Sequence, residues 1–343
     1  MPKAKFFQGI GLMVGMIFGA GVFVLPFSIA QAGIFWGLVD FAAAFSLAVF
    51  LHLWYAQVSY QTKGRHRIIG YARIYFGRKT AFLTFLVTMF SSYGTLLIYG
   101  ILGGIFLANI FPGINPKLFT FFFFLSGSAL ILLRLKKIAA INFCLTLPIF
   151  GFVIYLLLTG FPFLNFNNFN FFSDNSRWFL PFGVWFFALT GFSVIPETRD
   201  LFIRDSLKSF KKVVFLSLLI TAVFYFIFIF SVLGVSGAKT SPDAISGLIA
   251  ILGQRAVFFG SFIGLLAVFT SFLALAADLK NIFKYDYKVS DWFSWFLVFL
   301  IPLFLFYAGL DNFVSVINVV GVFGLGLTGV FIILLRRQLK NNE

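Results

Sequence analysis

Gly21-Val22-Phe23-Val24-Leu25-Pro26 recurs as Gly191-Phe192-Ser193-Val194-Ile195-Pro196, 170 residues later (191 − 21 and 196 − 26 agree). Each copy sets a glycine and a proline inside a stretch otherwise apolar enough to cross a bilayer. Proline lacks an N–H and clashes with the preceding turn, while glycine tolerates unwound backbone, so polar main-chain groups are freed at depth. Hydrocarbon tolerates such groups only where they line a cavity or are buried in protein. Half-helix N-termini made by a break carry partial positive charge and free N–H groups, which suit a carboxylate. Carbonyls left at half-helix C-termini suit a cation. An amino acid carries both charges, so two facing breaks make a complementary pocket. Gly15, Gly19, Ala20, Gly21 and Phe23 belong to the first break, and Thr190, Gly191, Phe192 and Ser193 to the second, with two hydroxyls and an aromatic lid. Close packing of helices through small residues is the competing explanation for the glycines.

A third polar patch lies in Ala267-Val268-Phe269-Thr270-Ser271. Thr270 and Ser271 are adjacent hydroxyls in mid-span, and Ala267 contributes a carbonyl from one turn earlier. Hydroxyl and carbonyl oxygens are the ligands of a hard cation; bonding of each hydroxyl back to its own turn is the alternative. Ionisable groups at depth cost roughly 2.5–3.5 kcal/mol even on permissive scales, so each asks for a reason. Glu197 is a proton or gating candidate, with pairing to Arg199 or another inner base as its other explanation. Asp40 is the second such candidate, though it reads first as a helix-end residue in water. His52 reads as a hydrogen-bonded structural histidine rather than a proton relay. No acid stands close enough to the breaks to recognise a cationic side chain, so a neutral amino acid is the expected ligand. An enzyme would need a nucleophile, metal or acid–base group at depth. One cysteine, two histidines and no HExxH or GxSxG motif supply no such set.

These groups must be carried by membrane spans. The chain is 61% hydrophobic and 11% charged, with mean hydropathy +1.01, whereas soluble domains carry about 25% charged residues. About 20 apolar residues cross the hydrocarbon core. Ten segments qualify: Phe7–Ala32, Ile34–Thr62, Ala81–Phe111, Leu118–Leu133, Ile138–Phe161, Phe179–Ile203, Val213–Val235, Val257–Leu279, Trp292–Ala308 and Phe313–Leu335. They divide the single transmembrane domain into two five-span halves, about 1–161 and 162–343. The first segment resembles a secretory signal ending at Ala30-Gln31-Ala32, but it exceeds the ~7–15 residues of such an apolar region. With both termini cytoplasmic, 22 of the 26 basic residues fall inside and only Lys117, Arg177, Lys239 and Arg255 outside, as the positive-inside rule requires. That placement also explains the net charge of +15 without nucleic acid. Lys63 to Lys79 is expected as a basic amphipathic helix on anionic lipid. Ser241-Pro242-Asp243 is expected to start a surface helix through Gly253, capped by Ser241. Phenylalanine runs such as Phe121-Phe122-Phe123-Phe124 are expected to replace leucine against lipid, and Cys144 to be a buried thiol.

The chain resembles the amino acid–polyamine–organocation superfamily, nearest its hydroxy/aromatic amino acid permease and amino-acid/auxin permease branch. The resemblance rests on Gly15-Met-Ile-Phe-Gly-Ala-Gly-Val-Phe-Val-Leu-Pro26, Phe187-Ala-Leu-Thr-Gly-Phe-Ser-Val-Ile-Pro-Glu197 and Thr270-Ser-Phe-Leu leading to Asp278-Leu-Lys-Asn-Ile-Phe-Lys-Tyr-Asp286. It implies the leucine-transporter type of fold: an all-α polytopic protein of five plus five inverted spans, the first and sixth unwound around substrate. By motif, Ala20 and Gly21 would bind the carboxylate, and Ala188, Thr190 and Gly191 would meet the amino group and side chain, with Phe192 nearby. Sodium-coupled relatives hold a cation at positions matching Gly15, Phe18, Ala267, Thr270 and Ser271. Proton-coupled relatives can place a fifth-span lysine there; Lys136 and Lys137 precede that span, which tilts the expectation toward sodium. The resemblance thus implies a secondary active permease in the plasma membrane, working by alternating access on a small-molecule amino acid. No protein partner is evident, and no cofactor beyond the coupling ion. Two features depart from the family: ten spans rather than eleven or twelve, and Ala20 where many relatives carry serine.

Overall fold

The computed structural model describes residues 3–64, 66–132, 135–203 and 205–341, with all of their side chains except those of 3, 4, 135–147, 285 and 286. Among the described residues every regular element is helical. The expected first span is two helices, α1 (Lys3–Ile17) and α2 (Gly21–Ala32), bent by 56°. The break falls at residues 18–20, between Ile17 and Gly21. Pro26, expected to stop the helical ladder, sits inside α2 instead. Its missing N–H deprives only the Val22 carbonyl, one bond that the helix survives.

α3 (Ile34–Gln61), α4 (Ile68–Ile110), α5 (Pro116–Leu130) and α6 (Leu135–Gly160) follow. The sixth expected span is again two pieces, α7 (Leu180–Leu189) and α8 (Ile195–Phe202), with one tight turn at Phe192–Val194 between them. Pro196 opens α8, where a missing N–H is harmless, so here too proline is not the breaker. α9 (Leu207–Ser236), α10 (Ile249–Asn281) and α11 (Asp291–Tyr307) precede α12 (Phe313–Val319), which runs through a π-helical turn into α13 (Gly326–Asn341).

Among the described residues six stretches are long and apolar enough to cross a membrane, and the bent α1–α2 pair makes a seventh. The expected fourth, fifth and ninth spans fall on shorter apolar helices: α5, the Pro148–Phe163 stretch, and α11. Leu133 and Arg134 lie outside the described residues, as do the side chains of Lys136, Lys137 and Cys144. Lys5 reaches Asp205 at 4.0 Å on one face, and Lys117 reaches Asp311 at 3.2 Å on the other.

Two surface helices differ from expectation. On the face bearing the N-terminus, the basic stretch is helical only from Ile68 and is cut from the rest of α4 at Gly77 (φ +82°). On the opposite face Ile249–Leu252 is cut from α10 at Gly253 (φ +79°). Both angles are in the left-handed region that glycine adopts freely. Ser241 caps no helix start; its hydroxyl accepts the Gly247 N–H, while Asp243 takes the N–H and hydroxyl of Ser246.

The phenylalanine run also departs from expectation. Phe122 is half exposed, but Phe123 and Phe124 are fully buried. Their rings fill hollows on α4: a β-carbon on Gly103 or Gly100 would lie within 2.2 Å of them. Glycine there permits ring-on-backbone contact that any side chain would block.

Candidate functional site

The two breaks meet at a tyrosine. The hydroxyl of Tyr225 on α9 shares its one proton between the Ile17 carbonyl at the end of α1 and the Ala188 carbonyl near the end of α7, 2.9 Å from each. These are half-helix C-terminal carbonyls, and the phenol satisfies them where a cation was the expectation. Glycines set the approach. A β-carbon on Gly21 would stand 2.5 Å from Ala188 Cα, and one on Gly191 would stand 2.6 Å from Ile17 Cγ1. The first turn of α2 therefore rests on the last turn of α7, the close packing of small residues that was the competing explanation for these glycines.

Beside the junction lies a cavity of about 170 Å³. The first break contributes Met16, Ile17, Gly19, Ala20 and Gly21, and the second Phe187, Ala188, Thr190, Gly191, Phe192 and Ser193. α4 adds a hydroxyl stripe at helical spacing, Thr88, Ser91, Ser92, Thr95 and Tyr99. Thr88, Ser91 and Thr95 each donate to the carbonyl four residues back, leaving oxygen lone pairs toward the cavity. The Tyr99 and Ser271 hydroxyls converge on Gly19, where a β-carbon would lie 3.4 and 3.7 Å from them. Toward the N-terminal face the lining ends in Pro196, Arg67, Asp278 and Ile282. Arg67 pairs with Asp278 and stands 3.8 Å from Glu197.

Eight of the nine residues expected at the substrate, and Ser271, line this one cavity. Phe23 does not. It is buried edge-to-face on Phe106 and Phe228, with centroids 5.0 and 5.8 Å away. Gly15, Phe18, Ala267 and Thr270 also stand outside the lining. Phe18 packs its ring on Tyr225 and Phe150. Thr270 Oγ1 donates to Leu266 O and Ala267 O at 3.0 and 3.1 Å, the local bonding anticipated as the alternative to a cation site.

Glu197 faces Arg67, the other inner base that its pairing alternative allowed, and not Arg199; Arg199 donates to the Gly64 and Thr62 carbonyls and closes a turn. Asp40 is not a water-exposed helix end. Only 4% of it is accessible, and its Oδ2 has no hydrogen-bond partner. The cover comes from α7, which packs along α3 and offers the Phe182 backbone to the Asp40 carboxyl. An acid does stand in the cavity wall after all, Asp278, compensated by Arg67.

Tyr225, Tyr99, Arg67 and Asp278 were missed as site residues. The stripe ending at Tyr99 was readable from its spacing. So was Tyr225, which follows Tyr55 by the interval that separates the breaks (225 − 55 = 191 − 21); Tyr55 lines the cavity too.

Among the described residues no group of three His, Cys, Asp or Glu could hold a metal. A family model for amino acid permeases matches residues 5–283. No curated protein matches the sequence. Among solved structures, MHP1, a nucleobase-cation-symport-1 family transporter in a closed conformation with bromovinylhydantoin bound, aligns with a TM-score of 0.65 at 14% identity. The alignment covers 91% of this chain and 74% of that one. MhsT in complex with L-phenylalanine aligns with a TM-score of 0.64 at 15% identity, covering 97% and 88%. At such identities the likeness is one of fold. The family match spans well over half of the chain, and with the apolar helices it gives the conclusion: the chain belongs to the amino acid permease family, as a multi-pass membrane transporter of the leucine-transporter type of fold.

Proposed function

We propose that the chain is a secondary active transporter that moves a neutral amino acid, aromatic or hydroxylated, by alternating access. One observation carries the reading: both helix breaks open onto the same cavity, presenting N–H groups at the start of α2 and unwound backbone at Thr190 and Gly191. The N–H groups of Gly21 and Val22 have no partner within the helix and carry its positive end, which suits the carboxylate. The aromatic rings of Tyr55, Phe187 and Phe192 line the cavity together with the α4 hydroxyls, which suits a side chain with a ring or a hydroxyl. Arg67 cancels the charge of Asp278, which disfavours a cationic side chain. A relative in fold, MhsT, is described with L-phenylalanine, which supports the same class. Gly15, Phe18, Ala267, Thr270 and Ser271 are proposed to hold a coupling sodium, and the basic face is proposed to lie in the cytoplasm, with the protein in the plasma membrane.

Proton coupling is the second reading. It is favoured by the hydroxyl donors already on Ala267, Ile17 and Ala188, which occupy carbonyls a cation would use. The test is uptake of radiolabelled L-phenylalanine, L-tyrosine and L-serine into proteoliposomes with an imposed sodium or proton gradient. Accumulation driven by sodium supports the first reading, and accumulation driven by protons alone the second. Flux indifferent to both gradients refutes coupled transport.

A further inference from the structure

His52, midway along α3, is wholly buried and does not line the cavity. Its Nε2 accepts the Gly191 N–H at 3.0 Å, and its Nδ1 lies 2.7 Å from the Ala48 carbonyl oxygen. These two bonds define the protonation. Only a lone pair accepts an N–H, so Nε2 carries no proton; a carbonyl oxygen only accepts, so Nδ1 carries one. The imidazole is neutral and in a single tautomer. Its ring lies 4.6 Å from that of Phe192, so the same side chain meets two successive residues of the break.

Gly191 is where α7 has run out (φ −139°, ψ 45°). Thr190 N–H still closes on Phe187 O, and Val194 N–H turns back to Gly191 O. The N–H of Gly191 leaves its own strand of chain and crosses to α3. In a trans peptide plane the N–H and the carbonyl point in opposite directions. Holding the Gly191 N–H on His52 therefore aims the Thr190 carbonyl away from that ring. Thr190 and Gly191 line the cavity and His52 does not.

We propose that His52 is a positioning residue: its neutral imidazole pins the Thr190–Gly191 peptide so that the Thr190 carbonyl faces the ammonium group of the substrate. The ammonium part rests on the amino-acid reading above; the pinning does not. The tautomer that holds Gly191 is uncharged, so His52 is a fixed part of the wall and not the carrier of a coupling proton.

The test compares the full chain in lipid nanodiscs with His52→Phe, which keeps the flat ring but has no acceptor, and His52→Gln, whose amide oxygen reaches the Nε2 position and does not titrate. Hydrogen exchange over residues 187–194, measured without ligand, reads the pin directly. His52→Phe is expected to speed exchange in this segment, and His52→Gln to leave it as in the wild type. Binding of radiolabelled L-phenylalanine, L-tyrosine and L-serine reads the consequence. His52→Phe is expected to weaken it roughly tenfold to a hundredfold, the effect of one buried N–H left without a partner. His52→Gln is expected to restore it with the wild-type pH profile between about pH 6 and 8. Wild-type exchange in His52→Phe overturns the pin, as does a His52→Gln protein no better than His52→Phe. A pH profile altered in His52→Gln overturns the fixed role. If His52→Phe does not fold, His52→Asn, too short to reach Gly191, takes its place. If the wild type binds none of the three amino acids, the amino-acid reading fails and exchange alone judges the pin.

Discussion

Replacing Gly19 and Gly21 by alanine, one at a time, puts the same methyl group two residues apart and is expected to produce opposite kinds of damage. Neither glycine has a positive φ, so alanine is not strained at either position. At Gly21 the new carbon would lie 2.5, 2.6 and 3.1 Å from Ala188 Cα, Cβ and N. Ordinary carbon contacts are about 3.5–4.0 Å, so α2 and α7 must separate by about 1 Å. α7 is not free to retreat, because Tyr225 holds the Ala188 carbonyl and the Trp185 indole donates to Gly37 O at 3.1 Å. Overpacking of this kind costs typically 1–3 kcal/mol, so Gly21→Ala lowers thermal stability even without ligand. At Gly19 the nearest atoms are Tyr99 Oη at 3.4 Å and Ser271 Oγ at 3.7 Å, which is normal contact. The fold accepts the methyl, but it covers two hydroxyls that a substrate would use. One such bond to a charged group is worth about 1.5–3 kcal/mol, so Gly19→Ala keeps its melting temperature and binds at least tenfold more weakly. Thermal unfolding of the purified variants, with and without L-phenylalanine, separates the two effects. Wild-type stability in Gly21→Ala, or wild-type ligand stabilisation in Gly19→Ala, would refute the reasoning.

Tyr225→Phe removes the one proton shared between two buried carbonyls, a loss of about 1–3 kcal/mol, and is expected to destabilise the protein more than Tyr99→Phe does in the same melt. Thr270→Ala combined with Ser271→Ala is expected to raise the sodium needed for half-maximal uptake steeply; an unchanged requirement removes the cation site. Arg67→Gln leaves the half-buried Asp278 uncompensated in the cavity wall, an unpaired charge that favours a cationic partner. Binding of L-lysine is expected to be absent in the wild type, to appear in Arg67→Gln and to vanish again when Asp278→Asn is added.

Both interruptions were legible because glycine and polar backbone at depth have few explanations. Their agent was not: proline is the louder signal, yet Pro26 is absorbed within α2 and Pro196 starts α8. Short-range spacing also carried the Thr88–Tyr99 stripe. What remained hidden depends on partners far along the chain. Arg67 meets Asp278 across the fold, and no local pattern announces that pair. Asp40 reads as a helix end in water until α7 packs along α3 and buries it. Phe123 and Phe124 look like lipid-facing bulk because the glycines that receive them lie on another helix. In each case the sequence shows a side chain and hides the surface it fits.

α5 and α11 have 15 and 17 residues and so rise only about 22 and 25 Å. They pack side by side, joined where the Trp295 indole donates to Ser128 O at 2.7 Å. Two undersized neighbours give the molecule one thin flank against a hydrocarbon layer of about 30 Å. Acyl chains there must compress or flanking side chains must stretch outward, at fractions of a kcal/mol per Å. Bilayer thickness therefore presses on this flank first, so activity is expected to be higher in short-chain than in long-chain phosphatidylcholine vesicles.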